Sequence, residues 1–381
     1  MITKRATEIS PFIVMDVLER AQQLEREGRD IIHLEVGEPD FDTPQCVIDA
    51  CTAALQTGKT HYTHSLGLFE LREAIADHYK DKYGVTVSPD QIVVTSGTSP
   101  AMFLFFSALL ERGDEVIISD PHYACYPNFI SFLEGVPVAV TVDEEEGFQY
   151  TPDAIRNKIS PRTKGIMINS PSNPTGNLLS AERMKQIADL GLPVISDEIY
   201  HGLVYDDEEH SILEFTDNAI VFNGFSKAYA MTGWRLGYLI APKEYIRPMQ
   251  KIQQNILICA NSFVQWGGVA ALREAQDDSH RMRDIFNERR KYIVKRLRDM
   301  GLGIAVEPTG AFYVLGKIKH FSNDSYKTAF DILEKVGVGV SPGIDFGTNC
   351  EGYLRFSYAT SMENIKEGLD RIEEYVKGVV S

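Results

Sequence analysis

Four short segments carry polar and ionisable side chains at the ends of apolar runs. The first is Asn223-Gly224-Phe225-Ser226-Lys227, followed eight positions after the lysine by Arg235 in Thr232-Gly233-Trp234-Arg235-Leu236-Gly237-Tyr238. A lysine just past a strand end is, by itself, more often a surface residue. With a serine and an arginine around it, the group offers donors and charge to a dianionic phosphate, and the guanidinium can hold two oxygens at once. The second segment is Ser196-Asp197-Glu198-Ile199-Tyr200, again after an apolar run. The third, Asn169-Ser170-Pro171-Ser172-Asn173-Pro174-Thr175-Gly176, is a proline-stiffened turn that fixes one asparagine, Asn173. The fourth, Thr95-Ser96-Gly97-Thr98-Ser99, reads as a strand-to-helix turn whose free N–H groups and helix dipole suit a phosphate. Such turns are common, so the fourth gains weight only beside the others.

The elements needed to position these groups are legible from periodicity. From about residue 90, short apolar runs alternate with helical patterns. Strands are expected at Gln91–Thr95, Glu115–Ser119, Val138–Val142, Gly165–Asn169, Val194–Ser196, Ile220–Asn223 and Leu236–Ile240. Most are nearly continuous in apolar residues, as strands covered on both faces by helices should be. Upstream, Val14, Val17, Leu18, Ala21 and Leu24 follow helical spacing and Gly28 is a stop; Ile31 to Val36 reads as extended. Thr43-Pro44 reads as N-cap and first position of a helix closing at Gly58, and Leu68–Tyr83 as a helix ended by Gly84. Downstream come two long helical patterns, Lys243–Cys259 and Ser262–Leu297. Short strands (Ala311–Leu315, Gly352–Ser357) then alternate with helices (Ser325–Val336, Ser361–Val376). Glu144-Glu145-Glu146 reads as a solvated loop, and there are no repeats.

At 381 residues the chain exceeds the size at which one core usually stops growing, so two domains are expected. A net charge of −16 argues against nucleic acid or an anionic membrane as a partner for any broad basic face. Five cysteines without a CxxC pair predict free buried thiols in a reducing compartment rather than a zinc or disulfide framework. No apolar run approaches the ~20 residues of a bilayer span. Together with a polar N-terminal stretch, this predicts a cytoplasmic protein; the cysteine spacing, without clustered histidines, predicts no metal site.

Taken in order, the four segments resemble the fold-type I pyridoxal 5′-phosphate (PLP) enzymes, specifically the class I/II aminotransferases of the aspartate aminotransferase superfamily. The resemblance runs from Gly37-Glu38-Pro39-Asp40-Phe41 to Tyr353-Leu354-Arg355-Phe356-Ser357. Its most specific parts are Pro-Ser-Asn-Pro-Thr-Gly at 171–176 and Ser-Lys…Gly-Trp-Arg-Leu-Gly at 226–237. It implies an α/β fold: a large PLP-binding domain (45–280) with a mostly parallel seven-stranded sheet between helices, and a smaller α+β domain (1–44 and 281–381).

The resemblance also implies roles. Lys227 would be the Schiff-base lysine and proton shuttle. Asp197 would keep the pyridine nitrogen protonated, making the ring an electron sink. Asn173 and Tyr200 would bond the phenolic oxygen, and Tyr123 would stack on the ring. Thr98, Ser99, Ser226 and Arg235 would hold the phosphate, with Tyr62 reaching the neighbouring subunit's phosphate in a homodimer. Arg355, aided by Gly37, would hold the substrate α-carboxylate.

Two positions depart from relatives. A serine three residues before the lysine in some of them is here Gly224, which shifts phosphate binding onto Ser226 and Arg235. A lysine that reads a side-chain carboxylate in prokaryotic-type aspartate aminotransferases is here Ser99, which weakens aspartate as the expected substrate. Phe12, Ile13 and Tyr62 as pocket residues would suit apolar or aromatic amino acids. The implied reaction is transfer of an amino group from an L-amino acid to a 2-oxo acid. A PLP-dependent carbon–sulfur β-lyase shares the fold and is the alternative, followed by a non-catalytic PLP-binding regulatory module.

Overall fold

The computed structural model describes residues 2–380. Its strands, in chain order, begin with β1 (Ile32–His33), β2 (Ile92–Thr95), β3 (Glu115–Asp120) and β4 (Val136–Thr141). There follow β5 (Thr163–Asn169), β6 (Val194–Asp197), β7 (Ala219–Gly224) and β8 (Gly237–Ile240). The last four are β9 (Tyr313–Lys317), β10 (Val338–Gly339), β11 (Ser341–Pro342) and β12 (Tyr353–Ser357).

Strands β2 to β8 form one seven-stranded sheet in the order β2-β8-β7-β6-β5-β3-β4. Only β8 runs antiparallel to its neighbours. All seven correspond to the apolar runs of the sequence, with ends moved by one or two residues. The reason they read as continuous apolar runs is visible in their packing. Ile166, Ile168 and Val221 belong to the cluster on one face, whereas Met167, Ile195, Ile220 and Phe222 belong to the cluster on the other. Alternate residues therefore face opposite layers of helix, and neither face tolerates polar groups. At the edge, β4 is the exception, with Val136 exposed.

A third cluster, with Leu34, Phe286, Phe312, Val314, Ile332, Phe356 and Leu369, forms around the antiparallel sheet β11-β12-β9. The N-terminal part of the chain joins it, because β1 pairs in parallel with β10. No helix among the described residues is long and apolar enough to cross a membrane.

Four local expectations are corrected. The helical pattern 262–297 is two helices, Ser262–Glu274 and Gln276–Asp299, separated at the fully buried Ala275 (φ −97°, ψ 19°). No glycine or proline marks this break, which is made by tertiary packing. The Gln45–Gln56 helix starts after Pro44 and has no side-chain cap. The Thr43 hydroxyl instead donates to Ala230 O at 2.7 Å and accepts from Trp234 Nε1 at 2.9 Å, tying this segment to the loop after Lys227. Residues Glu144–Glu146 form a 3-10 turn rather than a free loop, and Lys317 Nζ bonds Glu144 Oε1 at 2.7 Å. All five cysteines are free, but only Cys51 and Cys350 are buried.

Candidate active site

The parallel strands β5, β6 and β7 end side by side, and ligands of open α/β sheets bind beyond such carboxyl ends. Here β5 delivers Asn169 and the Asn173 turn, β6 ends in Asp197, and β7 leads into Ser226 and Lys227. Asn169 ties the first two together: its Nδ2 donates to Asp197 O at 2.9 Å, and its Oδ1 accepts from Asn173 N at 2.8 Å.

A cavity of about 290 Å³ opens at these ends. Of the residues expected from the sequence, it brings together Gly37, Thr98, Ser99, Tyr123, Asn173, Asp197, Tyr200, Ser226, Lys227, Arg235 and Arg355. Tyr62 does not line it and is 81% exposed. Phe12 lines the cavity but Ile13 does not. The main-chain N–H groups of Ile13 and Val14 are held at 3.1 Å each by the two carboxylate oxygens of Asp345, which leaves Phe12, Met15 and Leu18 to form the apolar wall.

The Lys227 amine donates to Gly37 O at 2.6 Å. Burial lowers its pKa from 10.5 to about 8; Arg235 and Arg355 add to this, while Glu38 and Asp197 oppose it. Asp197 is buried and shifts the other way, to about 6, because desolvation outweighs donation from Tyr126, the Ile199 amide and the charge of Lys227.

Opposite the sheet ends, the Thr98–Leu109 helix starts at Gly97 with no side-chain cap, and Pro100 has no N–H to give. Its first amides are therefore free for an anion. Arg235 has φ +54°, an uncommon backbone for a non-glycine residue. Its guanidinium lies against this helix start: a Cβ on Gly97 would stand 2.7 Å from Arg235 Nη2. Gly237 lets β8 approach the same turn, since a Cβ there would meet the Gly97 carbonyl carbon at 2.7 Å. Gly224, where some relatives carry serine, faces Leu236 O and Gly237 Cα at 3.0 and 3.1 Å from a built Cβ, so a side chain would press on β8. The result is a small cationic cradle made of amides, the Ser226 hydroxyl and a guanidinium, which suits a phosphate dianion.

Arg355 is 2% exposed on β12. Its Nη1 donates to Asn173 Oδ1 at 2.8 Å, and Nη2 donates to Glu35 O at 2.6 Å and Ser341 Oγ at 2.9 Å. The guanidinium lies between Tyr313 and Phe346, 4.3 and 4.6 Å from their ring centres. Its buried Nε has no partner among the described residues. A planar cation held this rigidly, with donor capacity left over, suits a carboxylate.

Two further tyrosines that line the cavity are not singled out by the sequence. Tyr313 bonds the Tyr200 hydroxyl at 2.9 Å, and its own hydroxyl occupies the space that a side chain at position 37 would need. Tyr126 donates to Asp197 at 2.6 Å. Tyr126 lies in the same segment as Tyr123, so the signal was adjacent; Tyr313 carried none. Among the described residues, no group of three or more His, Cys, Asp or Glu side chains is arranged to hold a metal.

A lysine and a carboxylate thus stand at the strand ends of a mostly parallel sheet, and residues 29–372 match the family model "Aminotransferase class I and II". The chain belongs to that family and is a transaminase. It is 43% identical to the (5-formylfuran-3-yl)methyl phosphate transaminase of Methanocaldococcus jannaschii, over 99% of this chain and 100% of that one. It is 42% identical to the aspartate aminotransferase of Pyrococcus horikoshii, over 99% and 97%. The fold superposes on Thermus thermophilus aspartate aminotransferase with maleate at a TM-score of 0.94 and 38% identity, covering 98% of this chain and 99% of that one. A Methanococcus jannaschii structure described as similar in its active site to kynurenine aminotransferases gives 0.91 and 43%, covering 99% and 100%.

Proposed function

We propose that the chain is a PLP-dependent aminotransferase moving an amino group from an L-amino acid to a 2-oxo acid. The observation that carries this is the convergence of Lys227, Asp197 and Arg355 on one cavity beside an uncapped helix start. The residues fit PLP: the amide-and-arginine cradle suits its phosphate, and the single buried carboxylate suits its ring nitrogen. When bound, the cofactor supplies a carbonyl to take up the amino group and a ring to absorb the electron pair left at the substrate's α-carbon.

Thr98, Ser99, Ser226 and Arg235 would hold the phosphate, and Tyr123 would cover the ring. Asp197 would keep a proton on the ring nitrogen. Asn173 and Tyr200 would donate to the phenolic oxygen. Lys227 would be the attachment residue and the base that takes the proton from the α-carbon; a pKa lowered from 10.5 to about 8 leaves a minority of the amine neutral at physiological pH, far more than for a free lysine. Arg355 and Gly37 hold the α-carboxylate. The wall of Phe12, Met15 and Leu18 favours apolar or aromatic side chains.

We further assign residues 45–280 to a large cofactor-binding domain and 1–44 with 281–381 to a small one, in keeping with the separate apolar clusters. A homodimer completes the site through Tyr62. Exposed Tyr62, Ile256, Leu257 and Ile258 supply an apolar surface for it, on segments tied together by Gln253 and Gln254 bonding Ser65. Sedimentation at assay concentrations tests this, and a fully active monomer removes Tyr62 from the site. Free thiols and the absence of basic excess suit the cytoplasm.

The deciding experiment is a panel of amino donors against pyruvate and 2-oxoglutarate, following the cofactor spectrum in half-reactions. Transamination predicts spectral conversion by the donor and full reversal by the 2-oxo acid. Release of ammonia and a thiol from a sulfur-bearing donor, without reversal, would mark a β-lyase instead.

A further inference from the structure

We infer that Tyr126 is a positioning residue for Asp197, holding that carboxylate in place and in its ionised form for the cofactor's ring nitrogen; this rests on the PLP reading above. Asp197 is 4% exposed at the end of β6, and its carboxylate accepts two hydrogen bonds. The Ile199 amide reaches Oδ1 at 3.2 Å, a long bond, whereas the Tyr126 hydroxyl reaches Oδ2 at 2.6 Å. The short distance is that of a hydroxyl donating to an anion, roughly twice as strong as a neutral bond.

The direction of donation is fixed. Tyr126 is 3% exposed, and burial together with the Asp197 charge raises its pKa well above 10, so its hydroxyl keeps the proton. Without that donor, Asp197 would keep only the weaker amide bond and the distant Lys227 charge against the cost of desolvation. That cost already lifts its pKa from 3.8 to about 6. A carboxylate whose task is to stabilise a cationic ring nitrogen needs to stay charged near pH 7, and the margin is small.

Tyr126 also has a second contact that matters. It begins the Tyr126–Phe132 helix, and its ring meets the Tyr123 ring edge-on at 5.3 Å between centres. One residue thus supports both the ring-covering side chain and the ring-nitrogen partner. Plain core packing would be served equally by phenylalanine, which keeps the Tyr123 contact and loses only the hydroxyl. Tyr126→Phe therefore separates the two explanations.

The test titrates Asp197 in the apo protein by carboxylate 13C NMR, assigned by its loss in Asp197→Asn, for the wild type, Tyr126→Phe and Tyr150→Phe. Tyr150 is an equally buried tyrosine whose hydroxyl donates to Met167 O, and it controls for loss of a buried hydroxyl elsewhere. The expected result is a rise in the Asp197 midpoint of about one to two pH units in Tyr126→Phe, the worth of one hydrogen bond to a charge, and no change in Tyr150→Phe. With added PLP, the pH midpoint of the bound cofactor's visible band should also move in Tyr126→Phe. In an Asp197→Asn background, the same tyrosine change should have no further effect on the band, because the partner it acts through is gone. An unchanged Asp197 midpoint, or an equal spectral effect with and without the carboxylate, overturns the inference. If the wild type takes up no PLP, the cofactor reading fails and the catalytic role falls with it. The apo titration identifies that case separately, since it needs no cofactor.

Discussion

Asp197, Asn173 and Lys227 stand at the ends of adjacent parallel strands, whereas Gly37, Tyr313 and Arg355 come from segments far apart in the chain. The first group is positioned by local geometry. Each side chain follows its own strand, and the Asn169 bridge fixes neighbouring ends to one another. The second group is positioned by long-range contacts. Arg355 bonds Glu35 O, and Ser341 bonds the same carbonyl, across separations of 320 and 306 residues. The two groups meet at only a few points, chiefly Lys227 with Gly37 and Arg355 with Asn173. On the function proposed above, the sheet-borne half would carry the chemistry and the other half recognition of the substrate.

The sharpest way to break this division is at Lys227. Lys227→Ala should reduce turnover by several orders of magnitude, since attachment and proton transfer vanish together. Stopped-flow turnover and the bound cofactor's visible band measure it, and near-native turnover would sink the assignment. Asp197→Asn should come next, retaining bound PLP while losing most activity, because an amide of the same shape cannot keep the ring nitrogen charged. Close to native kcat in that variant would make Asp197 structural.

On the recognition half, Arg355→Lys should weaken every donor by a similar factor, on the order of 2–5 kcal/mol in kcat/KM, because lysine lacks the planar fork. Comparing three chemically different amino acids checks this. Harm confined to acidic donors would mean that Arg355 reads the side chain. The smallest effect is expected at the wall: Phe12→Ala should reorder donors, costing aromatic ones about tenfold and alanine little. A uniform loss would move Phe12 from selectivity to packing. A pH series sharpens the comparison further. Because the Lys227 pKa is lowered to about 8, the neutral amine fraction grows as pH rises through 8. Capture of PLP by the apo protein should therefore reach its half-maximal rate near there, rather than near 10.5.

Legibility from sequence divides along the same line. The seven strands of the large sheet could be read because burial on both faces leaves runs such as Ile166–Ile168 without polar interruption. The polar residues that end those runs were then conspicuous. Arg355 was readable only through its resemblance to a family pattern, since nothing in Tyr-Leu-Arg-Phe-Ser says that Tyr313 and Phe346 will enclose its guanidinium. Ile13, expected in the pocket with Phe12, does not line it. The error is one helical position, and the Asp345 contact that sets the rotation comes from the far end of the chain. Tyr126 donates to a residue 71 positions away, a pairing that periodicity does not encode. The break at Ala275 was invisible for a similar reason, being made by packing rather than by a helix-breaking residue.

The parallel pairing of β1 with β10 has a consequence for how the molecule comes into being. A chain emerging from the ribosome has residues 32–38 in hand early, yet their partners at 338–341 and 355 come about 300 residues later. The proposed phosphate cradle and Lys227 draw on residues up to Gly237 and β8, all synthesised well before residue 338. A large sheet that forms on the growing polypeptide would offer a place for a phosphate before one for an amino acid. Chains arrested at successive lengths should gain PLP binding first and carboxylate recognition only after residue 355 is free to fold back.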